Sequence, residues 1–239
     1  MLPPGAERSA LILGSGGVER LHKSKIAVVG LGGVGSWAAE ILARTGVGEL
    51  HIMDFDHVDV SNINRQIQAF PATVGQSKAT ALAVRLNQLD VGGEVVSHHG
   101  FMDAERFEAL GMHFDFVVEA IDHITAKASL LAFLRKRGVP VISSMGAAAR
   151  LDPTQIRSAD LAHTSICPMA RDLRKILKRK YDFPEIGPMG IVAVYSIEHP
   201  VGSAGGSAVN GSLAQVTVAF GAALAAHVIR ALALPQPLL

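Results

Sequence analysis

Lys25-Ile-Ala-Val-Val-Gly-Leu-Gly-Gly-Val-Gly-Ser-Trp-Ala-Ala-Glu-Ile-Leu-Ala-Arg-Thr-Gly46 decides the fold. After Lys25, residues Ile26 to Val29 make a short, continuous apolar run of the kind that builds a buried strand. Glycines follow at 30, 32, 33 and 35, and from Ser36 the apolar residues fall at helical spacing. A strand, a tight turn and a helix are therefore predicted. In that setting Gly30-x-Gly32-x-x-Gly35 is a nucleotide-phosphate fingerprint. Gly30 permits the turn, Gly32 lets backbone approach a phosphate at the helix N-terminus, and Gly35 packs helix on strand, with Gly33 in the same turn.

Outward from this stretch the same alternation continues. Glu49-Leu-His-Ile-Met-Asp-Phe-Asp56 reads as a second strand, Lys78 opens a helix, and Val95–His98 reads as a weaker strand. Phe114–Asp122 is a fourth strand, Ala126–Gly138 a helix with basic residues at its C-terminal end, and Pro140–Gly146 a fifth strand. After Met145 the pattern changes to a strand at Gln155–Leu161, a basic helix from Pro168 and a strand at Ile191–Ile197. The predicted class is α/β: a Rossmann-like, doubly wound, mainly parallel sheet, extended by antiparallel strands in the C-terminal part. Residues 1–239 are expected to form one domain, with an N-terminal arm or helix over 1–24, a nucleotide-binding core over 25–150 and a substrate-side, sheet-extending tail over 151–239.

The composition narrows the function. Twenty-two Lys and Arg against 21 Asp and Glu leave a net charge of +1, so recognition of a polyanion needs a local patch. Aromatics at 5% argue against a base-stacking platform for single strands. One cysteine, Cys167, excludes a disulfide framework and a cysteine-rich zinc site, and fits a reducing cytoplasm. Cys167-Pro168 reads as a cap and first helical position, with the thiol taken as a packing residue rather than a nucleophile. The start, MLPPGAERSA, carries no signal-peptide pattern. Leu213–Leu234 approaches transmembrane length but holds Gln215, His227 and Arg230, so it is read as a core helix, with membrane association disfavoured. Val201–Ser212, rich in Gly and Ser, is read as a mobile loop.

Around the glycine turn, several charged groups ask for a ligand. Asp54 ends the second strand, where a ribose hydroxyl is bound in dinucleotide folds, and Asp56 is its neighbour. Taken alone, this favours an NAD-dependent oxidoreductase. Ser61-Asn-Ile-Asn-Arg-Gln66 then crowds Asn62, Asn64 and Arg65 beside that carboxylate, which suits a longer phosphate chain. Lys78 stands in the first turn of a helix, where the macrodipole disfavours a cation unless an anion is near. Asp122 ends the fourth strand at the carboxyl edge of the sheet and could hold Mg²⁺ against phosphate oxygens, or cap the helix that follows. No histidine pair has metal-ligand spacing.

Five motifs in order, Gly30-LGGVGS, Asp54-FD, Asn62-INRQ, Gly75-QSK and Val117-VEAID, resemble the adenylating HesA/MoeB/ThiF family, which includes ubiquitin-activating enzymes. The resemblance implies attack of a carboxylate on the α-phosphate of ATP, giving an acyl-adenylate and pyrophosphate. It makes residues 25–150 an ATP-binding core, with the glycines and Asp56 on the nucleotide, Asp54 the ribose ligand, Asn62 and Arg65 phosphate-side contacts, Lys78 the α-phosphate stabiliser and Asp122 the Mg²⁺ ligand. It also implies a homodimer in which Arg8 reaches the partner's ATP.

Within that family the chain is most similar to the tRNA threonylcarbamoyladenosine dehydratase branch, on Asp152-Pro-Thr-Gln-Ile, Ala159-DLAHT and the basic helix. The branch implies ATP-dependent cyclisation of N6-threonylcarbamoyladenosine in tRNA, without zinc. In that helix Arg171, Arg174, Lys175 and Lys178 share one face opposite Met169, Leu173, Ile176 and Leu177, a cationic stripe suited to an RNA backbone. The Glu198–Ser212 region is shorter than in longer members, which leaves a monovalent cation there an open question. Whether a sulfur-relay protein assists is equally open. Three alternatives stay in view: adenylation of a ubiquitin-like or sulfur-carrier protein, the oxidoreductase, and a silent nucleotide- or RNA-binding scaffold.

Overall fold

The computed structural model describes residues 3–202 and 211–234. Seven strands are present among them: β1 (Lys25–Val29), β2 (Glu49–Asp54), β3 (Glu94–His99), β4 (Phe116–Glu119), β5 (Val141–Ser144), β6 (Ile156–Asp160) and β7 (Val192–Ser196). The helices are α1 (Glu7–His22), α2 (Gly35–Arg44), α3 (Lys78–Asn87), α4 (Ala104–Ala109), α5 (Ile124–Arg137), α6 (Pro168–Lys180) and α7 (Ala214–Ala233). The strands form one sheet in the order β3-β2-β1-β4-β5-β7-β6. All pairings are parallel except β6 with β7. The C-terminal extension is thus one parallel strand and one antiparallel edge strand.

Alternation along the strands sorts the molecule into three layers. Ile26 and Val28 point, with Leu50, Ile52, Phe116 and Val118, toward α2, α3 and α7. Ala27 and Val29 point, with Met53 and Val117, toward α4, α5 and α6. Each burial of a Val, Leu or Ile side chain is worth about 1.5–3 kcal/mol, and β1 accordingly carries no polar residue past Lys25.

The segment Leu213–Leu234 behaves as a core helix. Helix α7 is long and apolar enough to cross a membrane. It packs on α1 and α2 and buries Val216, Phe220, Leu224 and Val228 completely against the sheet. Helix α4, a short turn capped by Asp103, has no periodic signal strong enough to foretell. The predicted Gly/Ser loop falls largely on residues 203–210, outside the described residues, as does most of the Glu198–Ser212 region that bears on a monovalent cation.

Candidate active site

The strand order reverses between β1 and β4, the two strands that leave the centre of the sheet in opposite directions. In open α/β sheets, ligands bind at that point, beyond the carboxyl ends of the strands. A cavity of about 420 Å³ lies there, within the range of small-ligand sites. Its walls carry Gly30, Gly32, Gly33, Asp54, Asp56, Asn62, Arg65, Lys78 and Asp122. Nearly every cofactor-side and catalytic residue expected from the sequence therefore meets in one place. Gly35 sits behind the turn, and Arg8 is the exception, exposed in the first turn of α1 and away from the cavity.

The glycine turn is fixed by backbone contacts. Gly30 has φ of +89°, and a Cβ there would come within 2.7 Å of the Ala120 carbonyl. A Cβ on Gly35 would sit 1.8 Å from the Gly30 carbonyl oxygen. At Gly32, by contrast, a Cβ would meet nothing within 4 Å, so the turn faces open space where a phosphate would lie at the N-terminus of α2. No acidic residue occupies the first turn of α2 to compete for that position.

Asp54 ties the turn to β2. Its carboxylate accepts hydrogen bonds from the backbone N–H of Leu31 (2.6 Å) and of Asp56 (2.8 Å). Burial nonetheless raises its pKa above the ordinary carboxylate range, with these bonds and nearby Lys78 opposing the shift. The oxygens keep lone pairs for hydroxyl donors. Lys78 is buried in the first turn of α3, and its ammonium meets the Asp56 carboxylate at 2.8 Å. The cation that the helix dipole disfavours is thus held at the cavity wall by the neighbouring acid.

The 60–66 segment supplies the opposite wall. Asn62 is buried, and its carboxamide oxygen accepts from the Asp59 N–H (3.1 Å), so it closes the loop as well as lining the cavity. Arg65 spends Nη1 on the Ser61 carbonyl and on Asn64 Oδ1, both at 2.8 Å. Its Nε and Nη2 make no hydrogen bond among the described residues. Asp122 is exposed, and its carboxylate likewise makes no hydrogen bond or ion pair there; the helix cap it was weighed against is supplied by His123, whose Nδ1 accepts from the Ala126 N–H at 3.3 Å.

Several residues that hold the site were not foreseen. Gln68 donates to the Leu31 carbonyl inside the glycine turn (2.9 Å), and Trp37 Nε1 donates to the Arg65 carbonyl (3.0 Å). Beneath the floor, fully buried Glu119 accepts from Lys127, from Ser143 Oγ (2.6 Å) and from the Ile121 N–H (2.7 Å), fixing the backbone just before Asp122. Thr217 of α7 and Phe101 and Met102 also line the cavity. No local pattern marks them, because each depends on contact across the chain.

The basic helix needs correcting in part. Leu173 and Leu177 are buried as the wheel predicts. Arg174, however, donates to the Leu161 and Thr164 carbonyls (3.3 and 3.1 Å) and to Thr164 Oγ1, and so serves the fold. Lys178 pairs with Glu185, and Arg171 with Asp172. Of the four expected cations, only Lys175 is without such a partner among the described residues. Cys167 stands at the N-terminal cap of α6, is buried in the core beside Ala170, and caps with its backbone alone.

A family model described as "ThiF family" matches residues 6–238. The tRNA threonylcarbamoyladenosine dehydratase of Bacillus subtilis is 39% identical over 195 residues, covering 81% of this chain and 75% of that protein. Its Escherichia coli namesake is 38% identical over 195 residues, covering 77% and 73%. A crystal structure of the E. coli tRNA N6-threonylcarbamoyladenosine dehydratase in complex with ATP superposes with a TM-score of 0.90 at 34% identity, over 95% of this chain and 93% of that one. With a nucleotide-shaped turn, a cavity at the switch point and a match that runs almost end to end, this chain belongs to the ThiF family.

Proposed function

We propose that the chain catalyses ATP-dependent dehydration of N6-threonylcarbamoyladenosine in tRNA. The threonyl carboxylate attacks the α-phosphorus of ATP and pyrophosphate leaves. The carbamoyl group of the same nucleoside then attacks the activated carbonyl carbon, a ring closes, and AMP departs with one former carboxylate oxygen. The observation that carries this reading is the convergence of Arg65 and Lys78, from the β2–β3 crossover, and Asp122, from the β4–β5 crossover, on the cavity beside the glycine turn. The similarity to the dehydratases of B. subtilis and E. coli supports the substrate.

Each residue then has a task. Asp54 accepts from the ribose hydroxyls. The Gly32–Gly33 backbone and the N-terminus of α2 receive phosphate. Lys78, released from Asp56 as phosphate enters, neutralises charge on the α-phosphoryl group, and the free edge of Arg65 takes the departing pyrophosphate. Asn62 holds the loop that presents Arg65. An exposed, unpartnered carboxylate at the end of β4 fits one hard-cation ligand, the remainder being water and phosphate oxygen. Asp122 would hold Mg²⁺, which when bound neutralises phosphate charge. Because the nucleophile is tethered to the activated carbonyl, effective molarities of roughly 10⁵–10⁸ M replace an enzyme nucleophile, and buried Cys167 is not needed.

We further propose a homodimer in which Arg8, remote from its own cavity, serves the partner's ATP, and a cytoplasmic location matching the tRNA substrate. The test is mass spectrometry of tRNA nucleosides from cells lacking the protein. The dehydrated nucleoside should vanish, return with the wild-type chain and stay absent with Lys78→Ala. Retention of the dehydrated form in the deleted cells would overturn the assignment.

A further inference from the structure

The strongest unassigned charge lies at the end of α5 and α6 that points away from the ATP cavity. Both helices start at the carboxyl edge of the sheet: Asp122 precedes α5, and Met169 of α6 lines the cavity. They run side by side to the opposite edge, where Arg135 stacks over Phe183 at 4.4 Å and Lys178 meets Glu185. At that end stand Arg135, Lys136 and Arg137 from α5 and Lys178, Arg179 and Lys180 from α6, with Lys175 one turn before them. The acids that face them are Glu108, paired with Arg137, Glu185, paired with Lys178, Asp172, paired with Arg171 and within electrostatic reach of Lys175, and Asp182.

Lys136, Lys175, Arg179 and Lys180 are exposed and make no hydrogen bond or ion pair among the described residues. Four exposed cations without an ion-pair partner at one end of two neighbouring helices, on a chain with a net charge of +1, make a local positive field whose natural complement is a phosphate backbone. Helical rise puts the cluster roughly 9–18 Å from the cavity mouth, counted along α6 from Met169 to Lys175 and along α5 from Ile124 to Lys136.

We propose that these four residues, Lys136 on α5 with Lys175, Arg179 and Lys180 on α6, form a remote phosphate-backbone site that grips the RNA away from the reacting nucleoside. This rests on the proposed tRNA substrate. The cavity selects the chemistry, and the far end supplies sequence-independent affinity. It follows that an RNA long enough to span both should be favoured over a short one carrying the same modified nucleoside.

The test is the combined variant Lys136→Gln, Lys175→Gln, Arg179→Gln and Lys180→Gln, with a thermal melt to verify folding. Binding to full-length tRNA and to a trinucleotide centred on the modified nucleoside, too short to span both sites, is measured by fluorescence anisotropy from 50 to 200 mM salt. Affinity for full-length tRNA should fall roughly 10- to 100-fold, the salt slope should flatten by about 3, and most of the preference for long over short RNA should disappear. A control variant at the C-terminal ends of α1 and α2, Lys23→Gln with Arg44→Gln, should keep that preference. An unchanged salt slope and length preference would overturn the remote site, including the case in which the patch serves a protein partner. Because binding is read without turnover, a wild-type chain that binds long RNA in this way yet dehydrates nothing would instead overturn the proposed reaction.

Discussion

The glycine turn between β1 and α2 and the basic face of α6 both looked functional in the sequence, and they fared differently. In the turn, Gly30, Gly32 and Gly35 sit where the motif demands, with Gly35 closed against the Gly30 carbonyl and Gly32 open to the cavity. On α6, Arg174 and Lys178 turn back to bond Thr164 and Glu185, and the free charge shifts to the helix end. A motif that works through backbone geometry carries its own constraints. A charged side chain reveals its role only once its neighbours are known.

The largest effect expected is at Gly35. Gly35→Ala would drive a Cβ into the Gly30 carbonyl oxygen, so stability should fall by about 3 kcal/mol or more, with ATP binding lost; urea denaturation and a nucleotide titration check both. A variant that folds and binds ATP normally would break the backbone half of the comparison. Next comes Lys78→Ala, which should lower ATP–pyrophosphate exchange by roughly 10²–10³-fold, the scale for removing one group that stabilises developing charge. Gly32→Ala sharpens the same point. With nothing within 4 Å, its fold should stand while ATP affinity drops.

On α6 the expected effects are smaller and of another kind. Arg174→Gln should cost about 1–3 kcal/mol in denaturant unfolding, because three acceptors lose a charged donor. Its tRNA salt slope should stay near wild type. A flattened slope with unchanged stability would restore the outward-facing stripe that the sequence alone suggested.

The two regions should also part on titration. Burial raises the pKa of Asp54 in the cavity, whereas the hydrogen bond and charge of Arg171 lower that of Asp172 on α6. A raised native pKa means that the ionised form of Asp54 weighs against stability, and this cost is relieved as pH falls through that pKa. For Asp172 the sign reverses: its small contribution is present above the unfolded value and is lost as pH falls through the lowered native one. Carboxyl carbon NMR should show Asp54 taking up its proton first, with Asp172 still ionised. The opposite order would mean that the Leu31 and Asp56 N–H bonds outweigh burial.

How far the sequence could be read follows from the same contrast. The β1–α2 unit, the order of strands and helices and the carboxyl-edge placement of Asp54 and Asp122 are local signals, repeated in apolar spacing. Gln68, Trp37, Thr217 and the Glu119–Lys127 pair were not legible, because each acts on a partner that folding brings near: Gln68 on Leu31, Trp37 on Arg65. The direction of β7 was equally hidden. It lies parallel to β5 because α6 carries the chain back across one face of the sheet, while β6 pairs antiparallel on the outside edge.

The most direct test of the account follows one oxygen atom. With the threonyl carboxylate of the modified tRNA labelled with oxygen-18, one turnover should deliver a single heavy oxygen to AMP and none to pyrophosphate. Formation of ADP with the label in inorganic phosphate, or of unlabelled AMP, would contradict activation at the α-phosphoryl group.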